Sequence, residues 1–315
     1  LFLTLYYLCP AYALEFTLGF LGNLVVVLGY PLCLKKWQST NVYLYNLAMS
    51  DIICVCALPR LSYLYANNTV EDSSVFCVLN RFLLFVNMYS SVLFMALVSL
   101  DRYLLLCHPM RTHALLSPRG AIFVCLIAWV YVIAIMSPLL YYNIRYLVDT
   151  QGAICTDFAS LSKTWGFLGF SLGLTLMGYI LPLVALFLCT RKITSMLKTQ
   201  EEAFNQRATS FRKPLRIVKI AAYAFLLFYL PYHVMRNVRV VSQIVGGLSK
   251  CALAQIEAVY IVTRPMYVFC IQNKVSYTLL PHKPVPVPDD TCSTVTHLFL
   301  CTDLVCYRVK WSSFL

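Results

Sequence analysis

Three basic side chains recur at helical spacing near the end of an apolar run. His233, Arg236 and Arg239 follow Pro231 and Tyr232 in the stretch PYHVMRNVR, which closes the run from Ile217 to Leu230. Residues three apart on a helix share a face, so two guanidiniums lie together with His233 one turn below them. Arginine inside a membrane span is costly and ordinarily faces the bundle interior or a wet cavity. The chemistry such a pair offers is anion binding, because each planar guanidinium grips a carboxylate through two parallel hydrogen bonds. Taken alone, Arg236 and Arg239 could equally snorkel to the interface. Two more arginines tip the balance. Arg81 lies one turn below Cys77, in the outer third of its segment, and Arg264 lies about three turns into the last apolar segment, too deep to snorkel. Four such cations converging on one half of a bundle would repel each other unless an anion sat between them. A small dianion with a carboxylate at each end would neutralise two.

The elements that must position these residues are membrane helices. Of 315 residues, 60% are hydrophobic and only 12% charged, and mean hydropathy is +0.72; a soluble domain carries about twice that share of charge. Apolar segments of membrane-spanning length recur along the chain, so the fold class is an all-α membrane protein. The expected spans are 6–33, 43–66, 77–106, 120–141, 165–190, 214–241 and 253–280, seven in all. The connections carrying Lys35 and Lys36, then Arg111 and Arg119, then the run from Arg191 to Lys219 are basic, whereas the alternate ones carry Glu71, Asp72, Asp149 and Asp157. Basic loops stay in the cytoplasm, which predicts an extracellular N-terminus. The sequon Asn67-Asn68-Thr69 then falls on an outer loop, where Asn67 can be glycosylated. The net charge of +12 therefore speaks of orientation rather than of nucleic acid. The 14 cysteines lie mostly within apolar segments as small packing residues and do not imply a disulfide scaffold. No signal peptide is visible, and the first residue, Leu1, is already close to the first span, so the natural chain is expected to begin earlier. Residues 1–280 form the seven-span domain, followed by a proline-rich and then apolar tail over 281–315, expected in the cytoplasm and poorly ordered.

A second set of residues marks the other half of the bundle. Asp51 ends the run NLAMSD midway along the second span, and an ionisable group at that depth is functional by default; its bland alternative is a neutral, hydrogen-bonded packing residue. Asn23 lies in the first span, Ser91 in the third, and Asp101-Arg102-Tyr103 closes the third. Trp129 sits mid-span in the fourth segment, while Pro182 and Pro231 interrupt the fifth and sixth, where proline bends a helix and frees carbonyls.

Asn23, the NLAMSD run, Cys77 with Cys155, Asp101-Arg102-Tyr103, Trp129, Pro182 and Pro231, in order on successive spans, resemble the signature of rhodopsin-like (class A) G-protein-coupled receptors. The finer resemblance is to the succinate-receptor branch. It rests on Tyr65-Ala66-Asn67, Asn80-Arg81, Asp157-Phe158-Ala159-Ser160, the Pro231–Arg239 stretch and YIVTRP from Tyr260 to Pro265, and covers roughly residues 6–266. The 2-oxoglutarate and purinergic nucleotide receptors, which also use basic pockets for anions, are the next relatives. The resemblance implies a plasma-membrane receptor for a small dicarboxylate, succinate first. Arg81, Arg236 and Arg264 would be ligand contacts, with Tyr12 and Tyr65 nearby; for each tyrosine, phenolic hydrogen bonding and apolar packing both remain open. Arg239 and His233 belong to the same set, and Asp157 could pair with an arginine of the empty site and compete with ligand. The resemblance also implies a Cys77–Cys155 disulfide. In such receptors Arg102 is held by Asp101 at rest and meets a heterotrimeric G protein, here expected to be of the inhibitory class, when the sixth span swings outward. Asp51 and Ser91 match part of the family's sodium site.

This chain departs from the pattern in two places. Phe85 stands where the branch has a histidine one turn below Arg81, which removes a donor from the site. After Pro265, where Asn-Pro-x-x-Tyr is expected, the sequence reads Asn273-Lys274-Val275-Ser276-Tyr277, and Phe269 and Cys270 replace polar partners of the sodium site. A frameshift, an altered exon, a degenerating gene or an unusual receptor would each produce this ending. A receptor-shaped protein that binds its anion without signalling is accordingly kept as an alternative. A transporter would show internal repeats and matching broken helices, and none is found. The five histidines are not spaced as metal ligands with one another or with a cysteine pair, so no metal, no cofactor and no enzymatic activity are expected.

Overall fold

A hydrocarbon environment offers no partner to an open N–H or C=O, so the apolar runs of this chain must close their backbone bonds within helices. The computed structural model describes residues 4–34, 36–67, 74–107, 116–149, 158–204 and 209–278. Within them, a π turn Thr4–Leu8 leads into α1 (Cys9–Cys33), followed by α2 (Ser39–Val55), α3 (Leu58–Asn67), α4 (Ser74–Cys107), α5 (Pro118–Asp149), α6 (Trp165–Leu174), α7 (Leu181–Phe204), α8 (Thr209–Val245) and α9 (Lys250–Thr278). These nine helices make seven spans, because α2 with α3 and α6 with α7 each form one. Six of the spans are long and apolar enough to cross a membrane over their described residues. The seventh, α9, has 29 residues and so is about 44 Å long, more than a bilayer core requires.

Each expected span falls on helix; most run further at one end or both, and the one read as 253–280 is described from Lys250 to Thr278. The stretch read as 120–141 is Pro118–Asp149, and the one read as 165–190 continues to Phe204. Hydropathy stops where the side chains turn polar, whereas backbone bonding continues beyond the membrane boundary. The two interrupted spans have local causes. Pro59 cannot continue a helix from upstream, so α2 ends with Ala57 N donating to Cys54 O at 3.0 Å, and α3 restarts with proline in its first turn. In the fifth span a π turn, Thr175–Ile180, lies just ahead of Pro182. A widened turn accommodates a ring that would otherwise meet the carbonyl four residues back. Between α8 and α9 the chain reverses through Gly246 and Gly247, whose φ values of 65° and 70° lie where glycine carries no Cβ penalty.

The third span is the hub. α4 packs against α2, α5, α7, α8 and α9, and 78% of its most apolar window is buried, against 28% for α1 and for α5 at the rim. Side chains on α4 therefore see most of the bundle, and those of α8 and α9 meet them at one end.

Candidate functional site

Arg236 is fully enclosed, at 0% exposure, between α4, α6 and α8. Its Nη1 donates to Tyr89 Oη at 2.7 Å, and its Nη2 donates to Ser171 O at 3.0 Å and Thr175 Oγ1 at 2.9 Å. The guanidinium lies over the ring of Phe158 at 4.8 Å and that of Tyr232 at 5.8 Å. Its Nε has no acceptor, and no carboxylate is within ion-pair distance, among the described residues. A charge this deep held by neutral groups alone is incompletely compensated. The two acceptors on the neighbouring span are set by local geometry: Thr175 opens the π turn and Ser171 lies one turn before it, with Thr175 Oγ1 also donating to Ser171 O at 2.9 Å. Asn237 completes the frame, donating to Thr175 Oγ1 at 3.0 Å and accepting from Ser171 Oγ at 2.7 Å. Tyr89 can approach only because residue 178 is glycine, where an added Cβ would lie 2.7 Å from Tyr89 Cε1.

The second cation lies across an aromatic wall. Tyr232 and Tyr260 stack at 5.9 Å with planes 22° apart, and the Arg264 guanidinium lies over Tyr260 at 4.8 Å. Arg236 and Arg264 thus flank one tyrosine pair instead of touching. Phe85 adds to the same box, its ring 5.1 Å from Phe158 and 6.5 Å from Tyr232. Phe158 belongs to a 3-10 turn held to α8 by Gln243 Nε2 donating to Ser160 Oγ at 3.1 Å.

Two expected site members are placed differently from their sequence reading. Arg239 does not stand beside Arg236 over a common anion; it pairs with Glu257 on α9. One helical step of three residues rotates the side chain enough to face a different neighbour. His233, at 0% exposure, is stacked on Tyr179 at 4.4 Å with Tyr89 and Tyr232 each 5.8 Å away, an aromatic core position beneath the arginine. Tyr12 is buried in the core and Arg81 half-buried on α4. The side chains of Tyr65, Asn67, Cys77, Phe269, Cys270, Lys274 and Tyr277, and all of Cys155, Asp157 and the tail 281–315, lie outside the described residues.

Towards the other end, the polar residues of the spans are gathered. Asp51 accepts from Asn87 Nδ2 at 2.8 Å and Ser91 Oγ at 3.3 Å, while Ser50 and Ser90 hydroxyls meet at 2.8 Å. Asn23 donates to Gly19 O at 2.9 Å, and Trp129 Nε1 donates to Asn46 Oδ1 at 3.1 Å. Asp101 accepts from the Thr40 hydroxyl, and Arg102 lies within electrostatic reach of Asp101 and Tyr30. Pro231, half-buried, lies within the unbroken helix α8.

With this geometry in view, comparison with known proteins places the chain. Residues 22–273 match the family described as 7 transmembrane receptor (rhodopsin family). The chain belongs to this receptor family. Among curated proteins, succinate receptor 1 of Rattus norvegicus is 40% identical over 263 residues, covering 83% of this chain and 82% of that one. Succinate receptor 1 of Mus musculus is 39% identical over the same length, with the same coverage. A purinoceptor 1 of Homo sapiens is 30% identical over 262 residues, covering 82% of this chain and 69% of that one. The receptor is therefore a multi-pass plasma-membrane protein and not an enzyme, a G-protein-coupled receptor related to succinate receptors and purinoceptors.

Several residues that build the receptor's arginine box escaped the sequence reading. Tyr89, Ser171 and Thr175 are ordinary inside apolar spans, although a serine and a threonine four apart in an otherwise apolar segment are a readable sign of a polar face. Glu15, 2% exposed on α1 within electrostatic reach of Cys54 and Tyr7, is the clearest omission. Like Asp51, it is a carboxylate inside a span and is marked by the same cost of burial.

Proposed function

We propose that this receptor senses a small dicarboxylate, succinate first, through Arg236 and Arg264 at the extracellular end of the bundle, with its N-terminus outside. The observation that carries this reading is Arg236, a buried guanidinium dressed by hydroxyls, a carbonyl and aromatic faces, with no described carboxylate beside it. A ligand carboxylate supplies the missing charge. Arg264, across the Tyr232–Tyr260 pair, takes the other end, which favours a ligand with two separated carboxylates over a monoacid. The named ligand of the curated succinate receptors has that form. Arg81 and, from the core, Tyr12 are further contacts in this reading, and Tyr65 and Asp157 join them on sequence grounds. Phe85 contributes a ring and no donor, so the ligand is held by charge and by the Tyr89 hydroxyl, while Thr175 positions Arg236. Arg239, tied to Glu257, frames the mouth. Binding shifts the sixth span, α8, which carries Arg236, and Arg102 then engages a heterotrimeric G protein, of the inhibitory class.

Saturation binding of labelled succinate to membranes displaying the receptor tests this. Saturable binding that citrate, monocarboxylates and nucleotides do not displace is expected. Binding displaced by a nucleoside diphosphate instead would reassign the ligand to the purinergic type, and displacement by 2-oxoglutarate alone would reassign it to the longer diacid. A second reading has its own observation: Asn273-Lys274-Val275-Ser276-Tyr277 carries lysine where the family has proline. A receptor that binds ligand but does not signal would show succinate binding with no nucleotide exchange on a co-expressed G protein.

A further inference from the structure

A crevice of about 390 Å³ opens between α7 and α8, lined by Phe187, Thr190, Arg191, Lys198, Lys219 and Tyr223, with Thr194 and Ser195 between them. It is far from the arginine box: Lys219 and Arg236 are 17 residues apart on one helix, about 25 Å. It lies instead at the Asp101–Arg102 end, since Thr190 Oγ1 is 3.5 Å from the hydroxyl of Ser99. On α7, Arg191, Thr194, Ser195 and Lys198 repeat at the three- and four-residue spacing of one helical face, and Lys219 and Tyr223 do so on α8. Among the described residues, no acidic side chain lines the crevice. Thr190 and Thr194 donate their hydroxyl hydrogens to carbonyls one turn back, at 2.6 and 2.7 Å, leaving Arg191, Lys198, Lys219 and Ser195 as donors for an incoming anion.

The chemistry changes abruptly one turn deeper. Phe187 and Tyr223 meet edge to face at 5.7 Å and floor the cationic part. Beyond them, Val184 on α7 and Leu227 on α8 remain 47% and 63% exposed, and Leu188, next to Phe187, is 56% exposed, so apolar side chains continue from the floor. Cations, then aromatic rings, then aliphatic side chains is the order that a phospholipid presents from headgroup to acyl chain. A free phosphate would use only the first of these layers.

We propose that this crevice is a binding site for an anionic membrane phospholipid, its phosphate headgroup held by Arg191, Lys198 and Lys219 and its acyl chains lying along Val184, Leu188 and Leu227. The site is independent of which ligand occupies the arginine box. Because it bridges α7 and α8, a bound headgroup couples the separation of these two helices to the lipid composition of the inner leaflet.

The test is native mass spectrometry of the full receptor released from phosphatidylcholine vesicles doped with phosphatidylinositol bisphosphate. The receptor should retain the anionic lipid. Arg191→Gln and Lys219→Gln should each lower retention about five-fold, the factor carried by one cation near an anionic surface. Lys219→Arg should keep it, and so should Lys192→Gln, which removes an exposed cation next to Arg191 but outside the crevice. Unchanged retention in the Gln variants, or an equal loss in Lys192→Gln, would overturn the site. Full displacement by soluble inositol trisphosphate at equal concentration would overturn the lipid assignment in favour of a free phosphate. Should Arg191→Gln aggregate, Lys219→Gln on the other helix carries the same comparison.

Discussion

At Arg236 a permanently charged group is enclosed on every side, and its neighbours explain both its cost and its use. Three neutral hydrogen-bond partners and two ring faces hold the guanidinium without cancelling its charge. Two opposite effects of Arg236→Met follow. Succinate binding should vanish in a saturation assay, while the ligand-free receptor should melt at higher temperature, gaining about 1 kcal/mol or more by losing an uncompensated buried charge. A variant that lost binding and stability together would mean that Arg236 is a structural residue. Gly178 tests the same box from behind. In Gly178→Ala the new methyl collides with the Tyr89 ring, so Tyr89 must swing and release Nη1. Affinity should fall about ten-fold, the worth of one charge-assisted hydrogen bond, at unchanged surface expression.

At the scale of elements, the π turn at Thr175–Ile180 and the helix α8 form one unit. Thr175 bonds Arg236 and Asn237 together, so the widened turn of the fifth span sets the pose of an arginine on the sixth. Thr175→Val keeps the shape and removes the hydroxyl. It should weaken succinate binding several-fold, and Thr175→Ser should restore it; equal affinities for Val and Ser would show that the hydroxyl is not used. Near the turn that joins them, α8 and α9 are linked by Arg239 and Glu257, both partly exposed. An exposed pair of this kind contributes about 1 kcal/mol at most and weakens with salt. Glu257→Gln should therefore change thermal stability little, but should free Arg239 and make succinate association faster at low ionic strength, as stopped-flow binding would record.

The whole molecule is a seven-helix bundle with α4 at its centre, an arginine box at one end and the Asp51 and Asp101 networks towards the other. The outer loop is proposed to be pinned by a Cys77–Cys155 bridge, and counting labelled thiols at these two positions before and after reduction should reveal both only after reduction. An unchanged count would remove that bridge from the description. Asp51→Asn keeps the hydrogen-bond geometry with Asn87 and Ser91 and removes the charge. Binding should survive in this variant, and any sodium dependence of it should disappear.

Span number and family were legible in the sequence, because hydropathy and motif order are local properties that need no neighbours. Asp51, Arg236 and Arg264 were singled out by one rule: an ionisable group inside an apolar run must have a reason to be there. That rule, applied too sparingly, passed over Glu15. Which arginine faces which partner was not legible. A three-residue step on α8 separates Arg236, among the hydroxyls of α4 and the fifth span, from Arg239, beside Glu257, and only the rotation of α8 against its neighbours decides between them. His233, read as part of the site, lies beneath Arg236 with tyrosines from three spans closed around it. Contacts between residues distant in the chain depend on the angle and depth at which helices pack, and no spacing within a single helix encodes these. The tertiary structure therefore decided the arginine box, its glycine-dependent fit to Tyr89 and the basic crevice between α7 and α8.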